Sequence, residues 1–564
     1  MEETVWVQKP ISDEAESLAK ILNFPPVIGQ ILINRRVSDP EEASRFLFGT
    51  LEDLHDPFRM HGMREAVARI KRAVANGEKI LIFGDYDVDG ILSVVALSRA
   101  LESIGGEPSY YIPDRLKEGY GIKRKYLDLA VQRGTGLVIS VDCGVKAVEF
   151  VAEAKKKDID VIITDHHQPG PSLPEALSIL NPAIPESRYP YKNLAGIGVV
   201  YKLIQGLFDD PSRASLLPHY LKLVSIGTVA DVAELKDENR LFVKFGLKGL
   251  EDVRNTGLKC LLDVCGLRGR KVSVGDVGFR LGPRINAAGR LGESDLAVRL
   301  FFSSSQEEAE GIARSLDKMN SKRQQLEDLV LAQAMDRIKS RNLALKYKIL
   351  VLGCEAWHKG VIGIVAARIK DAFYRPVILF SLKEGKAYGS GRSIREFSLI
   401  ECLDAHRELF LNYGGHTMAV GCELQQQDLG RLKEALNAYA ETRLTGDHLK
   451  RKIRVDAALD FTEINPRLIE CLDLLSPFGM GNPRPLFLTE NAELVSQPQT
   501  IQDKHVKLWL RKNGRILEAV GWNRREWADE VQKGDGIDIV YGVQVSEFSG
   551  EERVTLTLED IRKV

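Results

Sequence analysis

Cysteine is sparse and scattered. The 564 residues hold seven, at 143, 260, 265, 354, 402, 422 and 471, and no two form a C-x-x-C pair. That excludes a disulfide framework and a cysteine zinc knuckle. Net charge is also lacking: at −1 the whole chain gives no sign of a polyanion partner, so any basic surface must be local. No apolar run approaches the roughly 18 residues of a membrane span, and "MEETVWVQKP" is too acidic and polar for a signal peptide. These absences predict a chain of the reducing cytoplasm with no membrane attachment. Proline is missing from 284 to 375, and glycine from 312 to 352.

What is present reads as several domains, since this length exceeds one core. Between about 64 and 230, short apolar runs alternate with helical spacers: "ILIF" (80–83), "PSYYIP", "GLVISVDC" (136–143) and "DVIITDHH" (160–167). The alternation predicts a parallel α/β sheet, and runs such as "DVIIT" suit strands covered on both faces. The six prolines of 169–190 predict a loop, and "LVSIGTVADVAEL" (223–235) reads as one more apolar run ending at an acid. The proline-free "ARSLDKMNSKRQQLEDLVLAQAMDRIKS" has helical apolar spacing and many charges, predicting a long helix bridging two domains. A second α/β unit restarts at "YKILVLGCEAWHKGVIGIVAARIKDAFYRPVILF". After 450, short alternating segments with Gly and Asn turns predict a small all-β barrel. The expected divisions are an N-terminal segment (1–50), a catalytic α/β domain (51–300), a linking helix (301–345), a second α/β domain (346–445) and a β-domain (450–564).

Chemistry concentrates where strands should end. "ILIFGDYDVDG" delivers Asp85, Asp87 and Asp89; "LVISVDCG" delivers Asp142; "DVIITDHH" delivers Asp165, His166 and His167; "SIGTVADV" delivers Asp231. Open parallel sheets bind ligands at the carboxyl ends of their strands. One such Asp is an ordinary turn or cap residue, but four acid-bearing strand ends on one rim are not explained by turns. Carboxylates so crowded repel one another unless cations neutralise them. Mixed oxygen and imidazole donors suit manganese, with magnesium, cobalt or iron as alternatives. Two ions bridged by a carboxylate suit metal-assisted phosphoryl chemistry.

"DYDVDG", "VDCG", "TDHH" and "GTVADV" together resemble the DHH phosphoesterase superfamily, and "FRLGPRINAAGRLG" (279–292) extends the likeness. "WHKGVIGIVAARI", "GSGRS" and "NYGGHTMAVG" resemble the DHHA1 substrate domain, and the β-domain resembles an OB-fold. Within that superfamily the resemblance is to the single-strand-specific exonucleases. It implies two divalent ions, Mn2+ before Mg2+. Asp87 would bind one, Asp142 would bridge both, and Asp89, His166 and Asp231 would complete the second site. Asp85 and His167 match the motifs from behind these ligands, and Asp165 fixes local geometry. In the family's pyrophosphatase branch a histidine stands where this chain has Phe83, leaving the first ion less fully ligated.

Between 268 and 290 lie Arg268, Arg270, Lys271, Arg280, Arg284 and Arg290 against one acid, Asp276. Arginines reach phosphate oxygens in forked pairs. The family motif adds Asn286 to Arg280, Arg284 and Arg290 as substrate contacts. The "GSGRS" and "GGH" stretches read as glycine-rich turns; in the DHHA1 context Ser390 and Arg392 would hold a terminal phosphate, with His416 facing the reacting one. His358 precedes a helix start that favours anions, and reads equally as a capping residue. In the barrel, Lys507 and Trp509, with His505, Trp522 and Phe548 nearby, are candidate strand contacts.

The resemblance thus implies a 5′-to-3′ exonuclease converting single-stranded DNA to mononucleotides in repair and recombination, a monomer working beside a single-strand-binding protein and a helicase. An oligoribonucleotide or cyclic-dinucleotide phosphodiesterase is the alternative, disfavoured because such relatives are shorter and lack the OB-like end. A nucleic-acid-binding scaffold with dead metal sites is the alternative of another class, and the intact acids speak against it.

Overall fold

The computed structural model describes residues 4–8, 10–115, 117–119, 121–548 and 551–564, and no side chains within 546–552, so Phe548 lies outside the described side chains. The catalytic domain is built on a five-stranded, all-parallel sheet in the order Pro108–Tyr111, Lys79–Gly84, Thr135–Val141, Asp160–Thr164, Ser178–Leu180. Its central strands are apolar on both faces, and the helix Val88–Ser103 that follows the first strand is buried almost all round. Such burial places the acid-rich loops on one rim, where the backbone leaves the core.

Two sequence expectations need correction here. The apolar run before Asp231 is a helix, Leu217–Ala230, and Asp231 is its C-cap rather than a strand end. Its central residues Val224 to Thr228 are all buried, which erases the amphipathic period that separates helix from strand. The proline-rich 169–190 segment is not all loop either: it contains the edge strand Ser178–Leu180, where prolines flank the pairing residues instead of interrupting them.

The linking helix runs unbroken from Gln306 to Ser340, capped at its start by the Ser305 side chain. It leads to a mixed five-stranded sheet in the order Asn412–His416, Ala419–Gln425, Lys386–Arg392, Val377–Lys383, Leu350–Cys354, whose last two strands are parallel. "GSGRS" and "GGH" therefore lie in strands, Lys386–Arg392 and Asn412–His416, not in turns. Glycine serves close packing there: a β-carbon on Gly389 would stand 2.4 Å from the Phe380 ring.

The C-terminal sheet closes on itself, because Phe487–Leu494 pairs with both Gly536–Phe548 and His505–Lys512. This closed, five-stranded circuit is the OB-like barrel. The N-terminal segment belongs to it: Leu18, Ile28, Ile31 and Leu47 share one core with Phe461, Leu508 and Tyr541. One arginine braces this unit from within and another ties it to the catalytic domain. Arg35 pairs with Asp456 at 2.7 Å and donates to Asn482 Oδ1 at 3.0 Å. Arg240, fully buried, donates to the carbonyls of Phe46, Leu474, Leu475, Ser476 and Pro477. Among the described residues no helix is long and apolar enough to cross a membrane.

Candidate metal centre and its flanking cations

Asp85 leaves the strand Lys79–Gly84 and is buried; its Oδ1 has no hydrogen-bond partner. Asp87 caps the next helix, accepting from Gly90 N at 3.0 Å. Gly90 is obligatory, since a β-carbon there would stand 2.6 Å from Asp85 O. Asp89, in the first helical turn, accepts from Gly196 N at 2.7 Å and Ile197 N at 2.8 Å. Asp142 is buried in the left-handed region at φ 59°. Gly196 packs onto it, a β-carbon there falling 2.5 Å from Asp142 Oδ1.

Asp165 points away from the cluster's centre. It accepts from Val145 N (2.9 Å), His166 N (2.8 Å), His167 N (3.1 Å) and His167 Nδ1 (2.8 Å), so it fastens the Asp-His-His turn. His166 Nε2 stands 3.1 Å from Asp142 Oδ1, and its Nδ1 lies 3.9 Å from Asp231 Oδ2. Ligand atoms gather within 4.8 Å of one another in three overlapping sets: Asp85, Asp87 and Asp142; Asp89, His166 and Asp231; Asp142, His166 and His167. Asp142 belongs to two of the sets, the arrangement two neighbouring cations require.

The electrostatics point the same way. Burial, then the Asp87 charge, pushes Asp89 up to about 7. Burial, then Asp89 and Asp87, pushes Asp231 up to about 9. Asp85 and Asp142 are driven well up by burial first and neighbouring aspartates next. His166 is held down to about 4 by burial and then by His167, which keeps its imidazole neutral. Burial also acts to lower His167, but the Asp165 hydrogen bond and charge outweigh it and raise His167 to about 9. Burial would raise Asp165, and the His167 contacts overcome it. Buried carboxylates that resist ionisation, a buried unpartnered Asp85 oxygen and a neutral imidazole form a donor set that divalent cations fit.

Cations face this cluster. Arg290 is pulled down to about 9 by burial, then by Arg115 and Arg323. Arg392 is lowered by burial and then by Arg115, so these guanidinium groups converge. Arg290 Nη1 donates to Gly360 O at 3.1 Å, and Arg392 Nη1 to Ser390 Oγ at 3.4 Å. A β-carbon on Gly363 would stand 2.8 Å from Ser390 Oγ, so the helix Ile362–Phe373 begins against this pair. Gly289 packs onto Tyr86 O, which brings the 282–290 helix directly against the acidic loop. His416, exposed at the end of its strand, is lowered by partial desolvation, then by Lys146 and His167, which puts its ring within electrostatic reach of the catalytic domain.

Other candidates lie elsewhere or are already engaged. Arg284 pairs with Asp317 at 2.8 Å, Arg280 with Asp276 at 3.3 Å, and Arg268 with Asp263 at 2.7 Å. The basic excess is thus smaller than the 268–290 window suggests, because acids outside that window fold back onto it. Asn286 is half-buried on the same helix as Arg290. His358 Nδ1 accepts from Gly360 N at 3.1 Å, the behaviour of a turn residue. Lys507 pairs with Glu518 at 3.0 Å and lies 5.7 Å from the Trp509 ring on the barrel. Sequence reasoning missed Arg115, which stacks on Tyr86 at 5.0 Å, and Lys146. Both follow strands of the same sheet, the one signal available for them.

A parallel-sheet domain carrying this acid–imidazole rim, joined by a helix to a second α/β domain and an OB barrel, defines a DHH/DHHA1 phosphoesterase. Residues 79–228 match the DHH family N-terminal domain, 346–442 the DHHA1 domain, and 455–560 the RecJ OB domain. The chain is 38% identical to the single-stranded-DNA-specific exonuclease RecJ of Bacillus subtilis, over 98% of this chain and 70% of that protein. It is 30% identical to its Escherichia coli counterpart over 100% of both chains. The crystal structure of RecJ in complex with Mn2+ from Thermus thermophilus superposes with a TM-score of 0.83, at 28% identity, over 100% of this chain and 80% of that one. A Mg2+ complex of RecJ from the same organism superposes with a TM-score of 0.78 at 28% identity, over 100% of this chain and 79% of that one. The chain belongs to the RecJ family.

Proposed function

We propose that this chain is a divalent-metal-dependent exonuclease that degrades single-stranded DNA from its 5′ end to mononucleotides. The observation that carries this reading is one juxtaposition. A buried cluster of aspartates and a neutral imidazole lies against arginines that meet the second domain where Arg290 reaches Gly360. Family membership supports the single-stranded DNA substrate, and the geometry supports phosphodiester chemistry.

Asp87, Asp89, Asp142, His166 and Asp231 would hold the two ions, Mn2+ before Mg2+, with Asp142 shared and Asp85 behind them. The chemistry such ions supply when bound is Lewis acidity toward a phosphodiester and a lowered pKa for water. The rest falls to the chain. Arg392 and Ser390, with Arg290 and Arg115, would bind the terminal phosphate and set the distance to the first bond cut. Forked guanidinium donors suit that task. Asp165 holds His167 Nδ1 and so orients the adjacent His166 ring. His416 and Lys146 would meet the phosphate from the opposite wall. Arg280, Arg284 and Asn286 brace or line the helix carrying Arg290, while His358, Lys507 and Trp509 would meet the strand further out. The reading also places the enzyme in the cytoplasm as a monomer, with a single-strand-binding protein and a helicase as partners.

The test is degradation of one oligonucleotide labelled at either end by metal-stripped protein restored with Mn2+ or Mg2+. A 5′ label should appear at once as mononucleotide, whereas a 3′ label should shorten gradually. Early release of the 3′ label, or internal cuts, rejects the reading.

A further inference from the structure

Three apolar side chains stand in solvent next to the metal centre: Phe279, Val232 and Met480, exposed by 84%, 59% and 52%. They come from segments that touch. A β-carbon on Gly282 would lie 3.5 Å from Ala230, joining the Phe279 turn to the end of the helix that carries Asp231. A β-carbon on Gly479 would lie 2.7 Å from Leu235 and 3.7 Å from Val274, and Leu235 N donates to Met480 O at 2.7 Å. Val232 directly follows Asp231, which brings this end of the patch next to the metal centre along the chain.

Each is displayed against local preference. Val232 occupies φ 61°, a conformation that a β-branched residue strongly disfavours and glycine would adopt freely. Phe279 sits in a π-helical turn, Val277–Leu281, a geometry frequent at functional sites. Met480 stands between Gly479 and Gly481 on a loop pinned from both sides. Arg240 holds its carbonyls from Leu474 to Pro477, and Asn482 Nδ2 holds Leu475 O and Pro477 O. A loop fixed this rigidly with an apolar tip in water serves to present that tip. On the same segments, a few residues from Val274 and Met480, Arg270, Lys271 and Arg484 are exposed and form no ion pair among the described residues, and Arg484 stacks over the Phe478 ring at 5.0 Å.

We propose that Phe279, Val232 and Met480 form a ledge on which bases of single-stranded DNA stack between the barrel and the metal centre, with Arg270, Lys271 and Arg484 on the backbone phosphates. The identity of the ligand rests on the exonuclease reading above. Separate apolar contacts interleaved with cations that form no ion pair among the described residues match the alternation of base and phosphate along a single strand. A duplex, whose bases stack on each other, presents no such faces.

The experiment measures anisotropy of a labelled single-stranded 12-mer in EDTA, with normal bases or with abasic sites replacing the internal ones. Phe279→Ala with Met480→Ala should weaken binding to the normal strand by about tenfold, the scale of losing base stacking. Wild type should lose a similar factor on the abasic strand, and the double variant should lose nothing more there. Val232→Gly should melt at a higher temperature yet bind more weakly; higher melting with unchanged binding removes Val232 from the ledge. Wild-type affinity in the double variant, or variant and abasic losses that multiply, overturns the proposal. Base-dependent binding in EDTA, with no cleavage of the same strand once Mn2+ or Mg2+ is restored, would sink the exonuclease reading and leave the ledge standing. Cleavage with base-independent binding would do the reverse.

Discussion

Asp142 carries the greatest burden of any single side chain in the centre. It is buried, backbone-strained at φ 59°, pressed by Gly196 and present in two of the three ligand sets. Asp142→Asn keeps the shape and removes the charge. Activity should fall by more than about 100-fold, the upper scale for losing even a supporting partner of a metal ligand. Melting in EDTA at alkaline pH, where the crowded carboxyls ionise, should rise, because one repelling carboxylate is gone. Activity near wild type, measured on a 5′-labelled strand, would remove Asp142 from the site. The same crowding predicts a pH dependence. Unfolded aspartates titrate near ~4, but Asp89 keeps its proton to about 7 and Asp231 to about 9 in the folded chain. Their raised values contribute stability that is full below the unfolded pKa and lost as pH rises through the folded ones. His167, raised to about 9, acts with the same sign above its unfolded value of ~6.5. His166, held to about 4, has the opposite sign and matters only as pH falls below its unfolded value. Metal-stripped protein should therefore melt several degrees lower at pH 9 than at pH 6, and Mn2+ should abolish or reverse the trend. Calorimetry showing equal melting temperatures in EDTA would contradict this account.

The linking helix sets the register between the two halves of the cleft. Its first part meets the catalytic domain through Asp317 and Arg284, and its second part meets the DHHA1 domain through Gln333 and Trp357 Nε1 at 2.9 Å, and through Arg337 and Gly353 O at 3.0 Å. Inserting one alanine between Gln324 and Gln325 turns everything downstream by about 100° and shifts it by about 1.5 Å. Arg392 and Ser390 then leave Arg290. Exonuclease activity should fall at least tenfold with helicity unchanged by circular dichroism, whereas Gln324→Ala with Gln325→Ala should be close to neutral. This helix was legible in the sequence because no proline interrupts it and no glycine follows Gly311. The first three acid-bearing strand ends were legible too, since a sheet covered on both faces leaves unbroken apolar runs that stop at the rim. The Asp231 helix was not, because burial on most of its faces removes the helical period. Arg115 and Lys146 were not, because nothing in a loop's local pattern reports which cleft it borders. The pairing of Arg284 with Asp317 joins residues 33 apart, and charge counted in a short window misses it.

Across the whole molecule, the two chain ends meet on the barrel: Trp6 Nε1 donates to Asp560 at 2.7 Å, and Arg562 lies 3.8 Å from the Trp6 ring. The unit so closed meets the catalytic domain through apolar and buried polar contacts, and Arg240 is the most demanding of the polar ones. Burial alone lowers its pKa to about 9, and it spends its donors on five carbonyls without a carboxylate partner among the described contacts. Arg240→Met keeps the apolar bulk over Phe46, whose ring the guanidinium faces at 3.9 Å, but strands those carbonyls. Each buried polar group left unsatisfied costs about 1–3 kcal/mol, so the seam should weaken before either core does. Thermal unfolding is then expected to split, with the barrel and N-terminal helices melting first, and proteolysis should appear at 474–482. A 5′-phosphorylated dinucleotide, too short to reach the barrel, should be cut at close to the wild-type rate, while long strands are cut more slowly. If the variant melts in one transition at the wild-type temperature, Arg240 does not hold the seam, and the rigid presentation of Met480 loses its physical basis.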